Sequence, residues 1–232
     1  MSRTFNNSTS NRLSASSIFS GFTWAGSEKF ALAGWYNGAD DAAGHNIACL
    51  SSAAPPAAGE MRLDVRMDVA SNPARVVQDG SGTALASSTA GFSASTWGHA
   101  FGLFQRGVTP RRSVYFDGAN SATNDTAAAQ VPDRTGVGCL PRTTPALPAN
   151  GSIAEVAMWF GTTQLDAQDA LSLAHGCSPL LVRPTDLAEY WPLFNGYSTG
   201  DEASWISGGV TLTETGTVGN AAHPSAVAYP VP

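Results

Sequence analysis

Two carboxylates on one strand face are a common apparatus for cleaving a glycosidic bond, and this chain offers one pair in a regular pattern. Met61, Leu63, Val65, Met67 and Val69 alternate with Arg62, Asp64, Arg66 and Asp68. Side chains two apart point to the same side of a strand, so the four charged residues share a face at spacings of about 7 Å. The order Arg, Asp, Arg, Asp gives each acid a base, and such exposed pairs contribute ~0.2–1 kcal/mol each. Asp64 and Asp68 therefore read as a solvated face. Glu155 stands among Ala154, Val156 and Ala157 and reads as an edge or paired carboxylate. His45, His99, His175 and His223 are isolated, and His99, close to Trp97, reads as structural rather than as a base. No Gly-x-Ser-x-Gly elbow occurs. The Gly-Ser-Gly at 80–82 is a turn, because no helix carrying a lysine follows it. The expectation is a protein that is not an enzyme.

Binding chemistry has more candidates. Asp40 with Asp41, and Asn124 with Asp125, carry oxygens for a hard cation. Calcium takes six to eight oxygens from several places, which adjacent acids alone do not supply. No cofactor is expected, and these four residues are the candidate ligands should calcium bind. A saccharide platform uses an exposed aromatic ring with polar neighbours. Trp24 and Trp205 lie in Ser- and Gly-rich segments and are the candidate ligand contacts, or equally the anchors of a subunit interface, where Trp is enriched.

These groups need a scaffold, and composition points to a β-rich one. The chain has 232 residues, of which 13% are charged, with abundant Gly, Ser, Thr, Ala and Pro. That suits one large all-β domain with many turns and disfavours a helical bundle. The net charge of −6 and the lack of a basic stripe argue against a nucleic-acid partner. No apolar run reaches the ~20 residues of a membrane helix, and residues 1–8 lack a signal-peptide core, so no membrane insertion is expected. Cys49, Cys139 and Cys177 are odd in number and widely spaced; they read as buried free thiols in a chain that folds in a reducing compartment.

Phe30–Tyr36, Asn46–Ser51, Met61–Val69, Trp97–Phe104, Ser113–Phe116 and Ser152–Trp159 read as strands, with Asp117-Gly118 as a tight turn. One short helix is expected from Asp166 to His175. Asp166 is its N-cap, Asp169 places a second carboxylate near its positive end, and Gly176 supplies the left-handed stop before Pro179. No internal repeat or long linker divides the chain. Sheets with one apolar face each must bury those faces against one another, so the fold class expected is all-β, a two-sheet antiparallel sandwich with one short helix in its C-terminal part.

Several ordered segments carry a family resemblance. Arg3-Thr-Phe-Asn-Asn, Trp97-Gly-His99 followed by Val114-Tyr-Phe-Asp-Gly118, Gly151-Ser-Ile-Ala-Glu-Val-Ala-Met-Trp159, and Leu187-Ala-Glu-Tyr-Trp-Pro-Leu193 are present in that sequence. Together they resemble the laminin G-like, concanavalin A-type jelly roll, in the form found in tailed-phage and prophage virion proteins. The resemblance implies a jelly roll over residues 1–195 and a β/coil extension over 196–232 that packs on the same domain or on a partner. It implies burial of Trp35, Trp97, Trp159 and Trp191, and it makes calcium the relevant metal, since several lectins of this fold use it. Glycosidases sharing the fold carry Glu-x-Asp-x-x-Glu on one strand, a spacing this chain lacks. Asp117 stands where the family more often has Asn. The function implied is that of a non-enzymatic structural protein on a virion surface, a capsid decoration or tail-associated component made in the host cytoplasm. Its expected partners are capsid or tail subunits, further copies of itself, and glycans. The alternative is a lectin-like adhesin for host surface glycans.

Overall fold

The computed structural model describes residues 2–16, 18, 29–38, 44–51, 61–66, 74–78, 85–87, 95–105, 112–124, 133–161, 165–194, 200–225 and 227. In chain order the strands are β1 Ser2–Asn6, β2 Arg12–Ser16, β3 Lys29–Gly38, β4 Gly44–Ser51, β5 Met61–Arg66, β6 Ala74–Gln78 and β7 Leu85–Ser87. They continue with β8 Gly98–Gln105, β9 Arg112–Phe116, β10 Asn120–Asn124, β11 Arg134–Val137 and β12 Asn150–Gly161. Helix α1 Ala167–Ala174 and a 3-10 turn Pro179–Leu181 come next, then β13 Leu187–Trp191, β14 Thr213–Thr215 and β15 Gly219–Ala221.

Among the described residues the first sheet has the order β10-β9-β8-β3-β12-β1-β15, with β13 also on β12, and the second has the order β14-β2-β11-β4-β5-β6-β7. Every pairing is antiparallel. This is an all-β, two-sheet jelly-roll sandwich with one short helix. No helix among the described residues is long and apolar enough to cross a membrane.

The period-2 rule sorts the core. Phe30, Leu32, Phe104, Val156 and Met158 of the first sheet face Leu13, Ile47, Leu50, Leu63 and Val137 of the second across the sandwich. Ala31, Ala33, Phe101, Leu103, Ala157 and Trp159 point the other way, where Leu165, Ala170, Leu173 and Val182 cover them. The first sheet is therefore buried on both faces. Trp159 and Trp191, both fully buried, give their indole N–H groups to the carbonyls of Val182 (2.7 Å) and Val210 (2.9 Å), as buried indoles generally must. Trp35 is also buried, whereas Trp97 is only half-buried because β8 begins one residue after it.

The helix forms where its caps predict. Asp166 accepts from the backbone N–H groups of Gln168 and Asp169, and Asp169 returns a bond to Asp166 N, a reciprocal capping box. Gly176 has φ 87° just past the helix end. In the turn closed by Ala119 N–H donating to Phe116 O, Asp117 and Gly118 both have positive φ, 47° and 75°, the requirement of the mirror-image turns that suit hairpins. A Cβ on Gly118 would lie 2.7 Å from Leu171 Cα, so glycine also lets this turn seat against α1.

Residues 200–225 supply a strand to each sheet, β14 on β2 and β15 on β1. Arg3, fully buried on β1, donates through Nη1 to Glu202 (3.0 Å) and through Nη2 to Glu214 of β14 and to Val218 O. One guanidinium thus ties the two sheets together at their shared edge. The described cysteines form no disulfide; Cys49 and Cys139 are buried and Cys177 half-buried.

Candidate functional site

The candidates from sequence fall in different places. Trp24, Asp40, Asp41 and Asp125 lie outside the described residues, as does Asp68. Asn124 ends β10, in register with Arg112. No group of three or more metal-binding side chains occurs among the described residues. Trp205 is 51% exposed and, with Leu181, is one of two large hydrophobic residues presented to solvent among the described residues.

Trp205 belongs to an aromatic cluster. Its ring packs edge-on against Tyr190 (5.7 Å) and tilted against Phe194 (5.8 Å), and Phe194 packs on the His223 ring at 4.9 Å. Beneath them lies Glu155. Its Oε2 accepts from the Tyr190 hydroxyl at 2.5 Å, and its Oε1 meets His223 Nε2 at 2.8 Å. Glu155 occupies a break in the ladder. β12 pairs with β1 through residue 153 and with β13 from residue 156, and its register with β3 shifts between Ala154 and Ala157. The bulged residue has φ 54°, a conformation that costs a non-glycine residue of order 1–3 kcal/mol and persists only when neighbours fix it. Both oxygens are engaged and the side chain is 2% exposed, so this carboxylate braces Tyr190 and His223.

The second sheet carries the other site, an open cavity of about 410 Å³ on its outer face. Leu13 of β2 and Val137 of β11 point into the core, so Arg12, Ser14, Ser16 and Arg134 point outward. The register sets Thr213 of β14 beside Ser14 and Thr215 beside Arg12, while Ser16 lies beside Arg134. These three strands make the floor. One wall is Pro141 and Arg142, the other Val210 and Thr211. Gly136 makes the first wall possible. A Cβ there would lie 2.6 Å from Pro141 Cδ and 2.6 Å from the Cys139 carbonyl oxygen, so only glycine lets the chain fold back over β11. The guanidiniums are held by the backbone: Arg12 Nη1 donates to Thr9 O (3.1 Å) and Arg134 Nη1 to Pro141 O (3.2 Å). Arg134 Nε also meets the exposed Asp133 at 3.1 Å. Among the described residues the cavity lining has three arginines and five hydroxyls.

Sequence reasoning missed this groove. Arg12 is remote in sequence from Arg134 and Arg142, and no local pattern marks the three. The alternation of Arg12, Ser14 and Ser16 around Leu13 was the one available signal.

His99 shows that the capped side of the first sheet is dry. It lies across the ladder from Trp35, with ring centroids 5.2 Å apart, and burial lowers its pKa to about 3. Its backbone N–H donates to the Asp117 carboxylate at 2.8 Å, and Asp117 N–H donates back to His99 O at 2.9 Å. The acid in this turn thus locks β8 to the hairpin; its own burial raises its pKa. Burial likewise raises Glu189, which accepts from Val210 N–H.

The sequence matches no family model and resembles no curated protein sequence. Solved structures share the fold. A putative carbohydrate binding protein from Bacteroides ovatus superposes on 98% of this chain with a TM-score of 0.64 at 15% identity, and this chain spans 61% of that protein. A native heptameric SAP-like pentraxin from Limulus polyphemus matches with a TM-score of 0.61 at 14% identity, covering 97% of this chain and 96% of the pentraxin. The enzymatically active domain of bacteriophage CBA120 tailspike protein 2 matches 71% of this chain and 26% of that one, with a TM-score of 0.50 at 14% identity. These likenesses show a shared fold, the antiparallel two-sheet jelly roll.

Proposed function

We propose that this protein is a non-enzymatic, saccharide-binding jelly roll displayed on the surface of a tailed-phage particle. The observation that carries the reading is the polar groove over β2, open to solvent and lined by hydroxyls and guanidiniums. Its volume falls within the roughly 300–1,000 Å³ of small-ligand pockets. Hydroxyls that donate and accept, set on strands rather than on loops, suit a ligand that is itself a lattice of hydroxyls. The likeness to a putative carbohydrate binding protein supports the saccharide part of this reading, and that to a tailspike domain supports the phage part, as do the segments that resemble phage virion jelly rolls. Capsid or tail subunits are the particle partners in this reading.

The test is an array of immobilised saccharides probed with the labelled protein and with a Ser14→Ala/Thr213→Val double variant. Saturable binding that the double variant loses is expected; retention of binding by that variant removes the groove from the site. Counting copies of the chain in purified virions by mass spectrometry tests the placement. Hundreds per particle assign a head decoration, a handful a tail component, and none discards the virion reading.

Trp205 supports a second reading of the same function, with its exposed ring, braced by Tyr190 and Phe194, as the saccharide platform. Loss of binding in Trp205→Ala, with the groove variant unaffected, would choose it.

A further inference from the structure

The strained bulge at Glu155 is fastened from beyond β15. Ser2 Oγ donates to Ala222 O (3.0 Å), Pro224 is buried, and the side chain of His223 between them is 13% exposed. Both ring nitrogens of His223 face oxygen: Nδ1 lies 3.0 Å from Pro224 O, and Nε2 lies 2.8 Å from Glu155 Oε1. A carbonyl oxygen only accepts, so Nδ1 carries a proton. The second contact needs a proton too, on Nε2 or on Oε1, because a bare ring nitrogen and a bare carboxylate oxygen both accept. Tyr190 does not supply it, since its hydroxyl donates to the other oxygen, Oε2. The pair therefore holds two protons where a neutral imidazole and an ionised carboxylate hold one. Taking one away sets two lone pairs against each other in a nearly dry site, where an unmade hydrogen bond is costly.

The surroundings of the ring are otherwise uncharged or already engaged. Phe194 packs on it at 4.9 Å and on Trp205 at 5.8 Å. Of the acids on the neighbouring elements, Glu189 accepts from Val210 N–H, Glu202 and Glu214 meet Arg3, and Asp201 accepts from Glu214 N–H.

We propose that His223 and Glu155 form a proton-held latch. With both protons present it closes residues 219–225 over the bulge; loss of one as pH rises opens it and lets the Phe194 and Trp205 rings turn. The latch stands independently of which surface takes a saccharide.

Amide exchange on the intact protein tests this, read as protection factors from about pH 5 to 9, a span that includes the ordinary titration of histidine. Residues 219–223 are expected to lose protection about tenfold or more as pH rises, the effect of one charge-assisted hydrogen bond, while the amides of α1 keep theirs. The indole N–H resonance of Trp205 should shift with the same midpoint. His223→Gln keeps a donor for Glu155 but has no proton to lose over this span. It should abolish both changes and leave α1 protection as in the parent, which shows that the variant is folded. Constant protection of 219–223 in the parent overturns the latch. So does a pH response that survives in His223→Gln, which would put the titrating group elsewhere. Opening of 219–223 with the Trp205 resonance unmoved overturns the link to the aromatic cluster.

Discussion

The two sheets differ in what lies on their outer sides. The first is covered: α1, the 3-10 turn, Trp205 and Ile206 lie over Trp159, Phe101 and Tyr190, and His99 beneath is too dry to ionise near neutral pH. The second has an open floor between two low walls, where Arg12, Ser14, Ser16 and Thr213 meet water. Alternation produces both. Strands β3 and β8 are apolar at nearly every position, which demands a cover on each side. β2 is apolar only at every second position, so one side is left for binding. The covered face supplies stability and the open face supplies chemistry.

If that division is right, substitutions on the two faces should separate cleanly. Trp159→Ala removes the largest ring on the covered face and should cost about 3–5 kcal/mol in denaturant unfolding; a cost near that of a surface change would break the comparison. Arg3→Met strands Glu202 and Glu214 between the sheets and should cost about 3–5 kcal/mol. It should also loosen β14, seen as faster amide exchange in 213–215.

His99 sharpens the contrast through pH. Above pH 6.5 both the native and the unfolded states are neutral at this ring. Between 6.5 and about 3 the unfolded chain takes up a proton that the native state refuses, so stability should fall by up to about 1.4 kcal/mol per pH unit. Asp117 and Glu189 act in the opposite sense nearer pH 4, because burial lets the native state take their protons first. His99→Phe should flatten the slope between pH 6.5 and 5. At the other extreme, Arg12→Gln on the open face should stay within about 0.5 kcal/mol of the parent. A larger loss would mean that the arginines brace the fold.

The covered face was the more legible in sequence. The runs at 30–36 and 152–159, the Asp166 cap, the Gly176 stop and the Asp-Gly turn each carry their cause within a few residues, and the structure places strands, helix and turn there. β12 extends to Asn150–Gly161 because it borrows β1 at one end and β13 at the other, which no local pattern announces. Glu155 reads as an edge or paired carboxylate and is paired, but its partners, Tyr190 of β13 and His223 beyond β15, come much later in the chain. The groove was illegible for the same reason in stronger form. Arg12 joins Arg134 and Arg142 at one cavity only after β2 has been sandwiched between β11 and β14.

The position of β1 sets an order of events in time. Among the described residues it pairs with β12 and β15 alone, which the ribosome makes long after it. At about 5–20 residues per second, the strand waits on the order of 10 s with no partner to pair with. Closure of the sandwich, with Arg3 finding Glu202 and Glu214, therefore waits until residues 202–214 have been made. Such distant pairings place this molecule among the slow folders, and until then β1 is an unpaired edge open to a neighbouring nascent chain.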